Sequence, residues 1–313
     1  MDVLEWMLDG GSDPAIRWQV LRDLAHAPAQ RIAAERARIA REGWGARLLD
    51  LQGPDGQWDG GAGFPGGWFD RPDRGAGQPW TSTLHTLQLL ADFGADPADE
   101  RVRHAVRQVR DRSRWEHNAE LFFYGEVEPC VNGRVARLGV YFGHDVRHVV
   151  ARLLGGQLAD GGWNCYTGNG STVSSFASTI CVLDGLLAYE RATGGSAALT
   201  QARRRGEQYL LQRHLFRRRS TGEIVDPDWL RFSFPTRWRY DVLRALDYFR
   251  ATGDACDERL GEALDLVRRK RQPDGTWLLE NTHPGQVWFP LEQDGRPSRW
   301  NTLRALRVLA WAG

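Results

Sequence analysis

Along the chain, apolar residues recur at intervals of three and four in two alternating kinds of segment, the spacing of a helix face that packs on a core. One kind carries Arg and Glu on its other face: RIAAERARIAREGWGARLLDLQ, DERVRHAVRQ, DVRHVVARLLGGQ, TQARRRGEQYLLQ and DERLGEALDLVRRKRQ. The other kind is more apolar. It comprises IRWQVLRDL from Ile16, PWTSTLHTLQLL from Pro79, PCVNGRVARLGVYF from Pro129, SSFASTICVLDGLLAY from Ser174, TRWRYDVLRAL from Thr236 and SRWNTLRAL from Ser298. Pro14, Pro79, Pro129 and Pro297, with Ser, Thr and Asp at or before these starts, supply the chemistry that opens a helix. No segment sustains the period-two alternation of a strand, so the pattern predicts an all-α chain of paired helices.

Each charged segment closes on a glutamine: Gln52, Gln108, Gln157, Gln212 and Gln272, spaced 56, 49, 55 and 60 residues apart. Three of these continue alike, as LQGPDGQW ending at Trp58, GQLADGGW ending at Trp163 and RKRQPDGTW ending at Trp277. The second copy reaches Trp115 at longer spacing and the fourth has lost its Trp. A recurrence at roughly this spacing, with three matching copies, marks a repeated structural unit. A Gln amide at a helix end can donate to orphan carbonyls or bridge to the next turn. A Trp beyond the turn can stack on the neighbouring helix and give its indole N–H to a carbonyl. The three stretches therefore read as joints between hairpins. Two helices of different polarity per unit predict an α/α toroid of five to six hairpins, with an apolar inner ring and an amphipathic outer ring, in one domain over residues 1–313. Closure would spare the ring its capping repeats, and Arg17-Trp18 near one end does resemble Arg299-Trp300 near the other.

The Gln…Gly-x-Trp endings with paired helices between them resemble the QW motifs of the terpenoid cyclase and protein prenyltransferase superfamily, over essentially the whole chain at the level of the repeat. The resemblance implies a deep apolar cavity for isoprenoid chains, and a squalene-cyclase-like bacterial protein. The sequence departs from each characterised branch. The acidic DxDD of proton-initiated cyclases is reduced to Asp226-Pro227-Asp228-Trp229, which a turn with capping carboxylates also explains, and no DDxxD is present. The zinc of the prenyltransferase branch would have to be assembled across repeats from Cys130, Cys165 and His85, since no compact zinc motif occurs. Cys181, inside ICVLDGLL, reads as packing.

Composition narrows this further. With 26% charged and 42% hydrophobic residues the chain is of ordinary globular make-up. A formal charge of +1 gives no global pull toward nucleic acid or an anionic membrane. The patches Arg203–Arg205 and Arg217–Arg219 read as solvated helix faces rather than phosphate sites. An acidic N-terminus, no long apolar run and four scattered cysteines set the expectation of a cytoplasmic protein without a transmembrane segment or disulfide framework. No cofactor is expected beyond the zinc alternative.

The candidate chemistry lies where apolar helices begin. Asp241, within the aromatic segment Trp238–Leu246, is the first candidate general acid, because burial would raise its pKa; Arg237, Arg239 or Arg244 could instead pair with it. Asp70, in the Gly- and Pro-rich loop 60–80, and Glu128 are the second and third. That loop is long enough to be a lid. Trp80, Cys130, Asn132, Phe176, Trp238, Tyr240, Trp300 and Asn301 are the candidate substrate-binding residues, their aromatic faces suited to an apolar pocket or a cation. Three functions stay open: an isoprenoid cyclase started by a carboxylic acid, a non-catalytic protein that binds a hydrophobic ligand or a protein segment, and a zinc-dependent prenyltransferase-like enzyme.

Overall fold

The computed structural model describes residues 2–72 and 77–313. The fold is all-α. Among the described residues the only strands are β1 (Trp277–Leu278) and β2 (Pro297–Ser298), two residues each and antiparallel, with Trp277 opposite Ser298. Among the described residues no helix is long and apolar enough to cross a membrane. Residues 73–76, which carry part of the proposed lid, lie outside the described residues.

The backbone groups into two compact units, Met1–Phe122 with Gln272–Leu303, and Phe123–Arg271 with Arg304–Gly313. The first contains α1 (Val3–Leu8), α2 (Pro14–Asp23), α3 (Ala29–Ala37), α4 (Gly43–Asp50), α5 (Thr83–Phe93) and α6 (Glu100–Arg112). The second contains α7 (Pro129–Tyr141), α8 (Arg147–Gly155), α9 (Phe176–Thr193), α10 (Ala197–Leu211), α11 (Val242–Thr252) and α12 (Gly261–Arg269). The last helix, α13 (Arg299–Ala312), begins in the first unit and ends in the second.

Polarity separates the two helix types as the pattern requires. In α5 every residue but Asp92 is buried, whereas α6 buries only Val102, Ala105, Val106 and Val109, one stripe of a charged helix. The apolar pair α7 and α9 packs backbone to backbone. A Cβ on Gly133 would lie 2.2 Å from the Cys181 carbonyl oxygen, and one on Gly185 would lie 2.3 Å from that of Gly133.

The joints repeat in atomic detail. Gln52 Nε2 donates to the Gly56 carbonyl of its own turn and the Ala105 carbonyl of α6, both at 2.9 Å. Gln157 Nε2 does the same toward Gly161 at 2.6 Å and Ala202 of α10 at 2.7 Å. The tryptophans, not the glutamines, take the carbonyls within the helix they follow: Trp58 Nε1 bonds Leu48 O at 2.6 Å, and Trp163 Nε1 bonds Leu153 O at 2.7 Å. All three Trp backbone N–H groups donate to a threonine of the next apolar helix, Thr83 at 3.1 Å, Thr179 at 3.1 Å and Thr302 at 3.0 Å. The turn glycines are required twice over. Gly56 and Gly161 sit at φ +79° and +100°, and a Cβ there would strike Gln108 or the Arg205 carbonyl. Each of the three Trp side chains is fully buried. At about 150–250 Å² of ring surface and about 25 cal/mol/Å², each contributes roughly 4–6 kcal/mol of gross burial energy.

Two expectations are corrected here. The look-alike starts at Arg17-Trp18, Arg237-Trp238 and Arg299-Trp300 are not equivalent. Trp18 lies inside α2, and Trp300 is the second residue of α13. Trp238 precedes α11, because Arg237 at φ +57° breaks the helical path and the helix starts only at Val242. Arg203 is not on a solvated face. It is 5% exposed and bridges Glu190 (2.5 Å) and Glu207, to which Tyr248 also donates at 2.8 Å.

Candidate functional site

The second unit carries a cavity of about 850 Å³, formed around the first turn of α9 and the chain that leaves α10. Ser175 is the N-cap of α9, its hydroxyl accepting from Ser178 N at 3.0 Å, and this places Phe176 at the cavity wall. Phe176 is the centre of an aromatic cluster. Tyr209 stands 5.4 Å from it edge-on, Trp229 at 4.6 Å and Tyr240 at 5.2 Å, with Trp229 and Tyr240 5.0 Å apart. Phe176, Tyr209 and Trp229 line the cavity, and Tyr240 backs them. Both tyrosines are anchored by their hydroxyls, Tyr209 to Ser174 O at 2.7 Å and Tyr240 to Leu215 O at 2.6 Å. Burial pushes the Tyr209 hydroxyl up to about 12, against the pull of the Arg213 charge, so both rings are neutral apolar surface at physiological pH.

The opposite character lines the other side. Arg213, Arg217, Arg218 and Arg219 all border the cavity. Arg217 is neutralised by Glu262 at 2.7 Å. Arg213 stacks on the Tyr209 ring with its guanidinium carbon 3.8 Å from the centroid and donates to Tyr209 O at 2.8 Å. Among the described residues no carboxylate pairs with Arg213, Arg218 or Arg219, and no acidic residue lines the cavity. The expectation that Arg217–Arg219 lie on a helix face fails for a local reason. The helix stops at Leu211, and these residues form a tight reversal closed by the bridge between Arg217 and Ile224.

The sequence candidates divide as follows. Phe176 and Tyr240 meet in the aromatic cluster. Asp241 is 1% exposed and is the N-cap of α11, not a residue within it. Its carboxylate accepts from Arg244 N at 2.7 Å and from the Ser233 hydroxyl and N–H at 2.6 and 3.3 Å, with Arg304 3.8 Å away. These donors occupy it as a helix cap. Asp70 is exposed on the 3₁₀ turn Trp68–Asp70. Asn132 pins the chain before α7 through Glu126 N and O, and the Trp238 carbonyl lies 3.5 Å from Cys181 Sγ. In the first unit Trp80 donates to the carbonyls of His283 and Pro284, and His85 lies against the Trp80 ring. Trp300 stacks with Phe93 at 5.8 Å and Trp44 at 6.5 Å, and Asn301 bonds Leu278 O at 3.0 Å. Asp226 caps the turn before Trp229 by accepting from Asp228 N, which is the structural reading of that acidic string.

A second group of polar side chains forms beside α7. Glu128, Cys130 and Cys165 place their carboxylate and sulfur atoms within 4.8 Å of one another. Cys130 Sγ is 3.5 Å from Glu128 Oε2, and Cys165 Sγ accepts from Cys130 N at 3.3 Å and Ser178 Oγ at 3.2 Å. The shared hydrogen bond with Cys165, reinforced by burial, pushes the Cys130 thiol well up, while the same bond and the Ser178 hydroxyl hold that of Cys165 down.

Sequence reasoning missed Trp229, Tyr209, Arg213, Arg218 and Arg219. The signal was present in the dense run LLQRHLFRRRS directly after an amphipathic helix, with a Trp in the following acidic turn.

No family model matches the chain. No curated protein matches it either. Several solved structures are similar to it, among them these two. One is a protein from Actinoplanes, 16% identical, with a TM-score of 0.44 over 96% of this chain and 90% of that one. The other is the type II terpene cyclase MstE from Scytonema in its apo form, 16% identical, with a TM-score of 0.45 over 96% of this chain and 88% of that one.

Proposed function

We propose that the protein binds an amphiphilic anion of isoprenoid type, a prenyl diphosphate, in the cavity at the start of α9. The observation that carries this reading is the pairing of an aromatic wall (Phe176, Tyr209, Trp229) with arginines that have no carboxylate of their own (Arg213, Arg218, Arg219) around one space of about 850 Å³. Ligand pockets run to about 300–1,000 Å³, so the space suits a chain of several isoprene units. Apolar carbon would lie on the rings, and a phosphate oxygen is the acceptor that an open guanidinium fork recognises. Binding, the second of the three functions the sequence leaves open, is preferred over proton-initiated cyclisation because no acid lines this cavity and Asp241 caps α11.

Calorimetry of the purified protein with farnesyl diphosphate, farnesol, squalene and inorganic diphosphate tests the proposal. Farnesyl diphosphate is expected to bind tighter than either of its halves. Reversing Arg218 and Arg219 (R218E/R219E) should weaken it by about 10–100-fold, the worth of one charge-assisted contact of roughly 1.5–3 kcal/mol. Trp229→Ala should weaken farnesyl diphosphate and farnesol together. Equal affinity for farnesol and its diphosphate, or indifference to the arginine reversal, refutes the reading.

A further inference from the structure

We infer that Glu128, Cys130 and Cys165 form a binding site for a zinc ion, with its fourth coordination position left to water or an incoming ligand atom. This inference stands on a different set of side chains from the cavity and does not depend on its ligand.

Three features support it. The first is convergence: two sulfurs and a carboxylate, from two separate chain segments, come within 4.8 Å of one another. Tetrahedral zinc with bonds of about 2.3 Å to sulfur and 2.0–2.2 Å to oxygen spans donor separations only slightly shorter, so small side-chain rotations close the site. The second is that the Glu128 carboxylate is not engaged in capping α7. Glu128 holds the N-cap position of α7 yet makes no side-chain capping bond, and its carboxylate lies against the Cys130 sulfur instead. The Cys130 thiol points its hydrogen at that carboxylate, and a divalent ion would take the place of this proton between the two groups.

The third feature is that the Cys165 sulfur is already held as a hydrogen-bond acceptor. It receives the Cys130 N–H and the Ser178 hydroxyl, and its own N–H donates to Ser178 Oγ at 3.2 Å. Such outer hydrogen bonds orient a ligand sulfur and tune its basicity. Two soft sulfurs with one carboxylate exclude magnesium and calcium, which take oxygen donors, and favour zinc. Ser178 sits half a turn beyond Phe176 on α9, so the same helix start builds both the aromatic wall and this donor set.

Full-length protein, purified under reducing conditions and stripped with EDTA, is titrated with Zn²⁺ and with Co²⁺. One ion per chain is expected, with the sulfur-to-cobalt charge-transfer band and the strong visible bands of tetrahedral cobalt. Cys130→Ser and Cys165→Ser should each reduce the charge-transfer band by about half, one sulfur remaining, and weaken zinc by about 100-fold or more. Glu128→Gln should weaken zinc while keeping the band, and Cys256→Ser should change nothing. Circular dichroism of each variant separates ligand loss from unfolding, and the exposed Glu128 gives a readout that does not disturb packing. The inference is overturned if the reduced, folded protein takes up no stoichiometric zinc or cobalt. It is overturned equally if the cobalt spectrum is unchanged in both cysteine variants, or if Cys130 and Cys165 are joined as a disulfide in protein kept under reductant.

Discussion

Replacing Trp163 by Phe tests the joint that defines the repeat. The substitution keeps an aromatic ring in a fully buried position and removes the indole N–H that reaches Leu153 O at 2.7 Å. The Leu153 carbonyl keeps the Gly156 N–H at 3.2 Å, so the lost indole hydrogen bond costs about 0.5–1.5 kcal/mol, and the smaller ring leaves a void worth roughly 1 kcal/mol more. The expected loss is therefore about 1.5–2.5 kcal/mol. Because Trp58 makes the same bond to Leu48 O at 2.6 Å in the other unit, Trp58→Phe should cost the same to within about 1 kcal/mol. Thr179→Val, which removes the acceptor of Trp163 N while keeping the side-chain volume, should cost about 1–3 kcal/mol by itself. Guanidinium unfolding followed by far-ultraviolet circular dichroism measures all three, with a second probe confirming a single transition. Losses below about 0.5 kcal/mol, within ordinary surface-mutation scatter, would show that the Gln…Gly-x-Trp stretch is not the staple its hydrogen bonds describe. A large difference between Trp58→Phe and Trp163→Phe would refute the equivalence of the two copies.

Two further predictions follow from buried charge. Arg203→Met leaves Glu207, which is 2% exposed, without its main counter-charge and should cost about 3–5 kcal/mol, most of it recovered in Arg203→Met/Glu207→Leu. The same network sets an acid limb. Burial pushes the Glu190 carboxyl up, but the Thr200 hydroxyl and Arg203 overcome this and hold it below the usual range, as the Arg204 hydrogen bond does for Asp254. Stability from these two groups is thus present above the ordinary carboxylate pKa of about 4 and is lost as pH falls below it. Unfolding midpoints between neutral and acid pH should show a shallower acid decline in Arg203→Met than in the parent. Asp241→Ala should destabilise by about 1–2 kcal/mol through the lost cap of α11, whereas Asp241→Asn, which keeps an acceptor, should leave farnesyl diphosphate affinity within about twofold. A tenfold loss of affinity in a folded Asp241→Asn would return Asp241 to the site.

Most of the helical plan was legible in the chain. The three- and four-residue spacing marks which stretches are helices, and their charge content separates helices buried all round, such as α5, from helices buried on one stripe, such as α6. Gln52, Gln157, Trp58 and Trp163 were legible as a joint, because a fixed spacing of an amide, a turn glycine and an indole has few uses. Which carbonyl each would take was not legible, since that depends on the neighbouring helix: Ala105 and Ala202 come from segments 53 and 45 residues away.

The candidate site was legible only in part. Phe176 and Tyr240 were found because aromatics at helix starts are conspicuous. Trp229 and the arginines after α10 were passed over because, in sequence, they resemble a capped turn and a solvated patch. Asp241 misled for the opposite reason. A carboxylate beside Trp238 and Tyr240 reads as a buried acid, yet the left-handed backbone at Arg237 delays the helix by several residues and turns that acid into its cap.

The sequence by itself thus determined periodicity, polarity and the positions of the joints, which are local properties carried by residues a few places apart. Tertiary structure alone decided which side chains meet. Glu128, Cys130 and Cys165 gather because chain 35 residues further on turns back beside α7, and Phe176 faces Tyr209 and Trp229 because three segments cross there. Such convergence is a matter of how helices pack, and spacing along the chain carries no record of it.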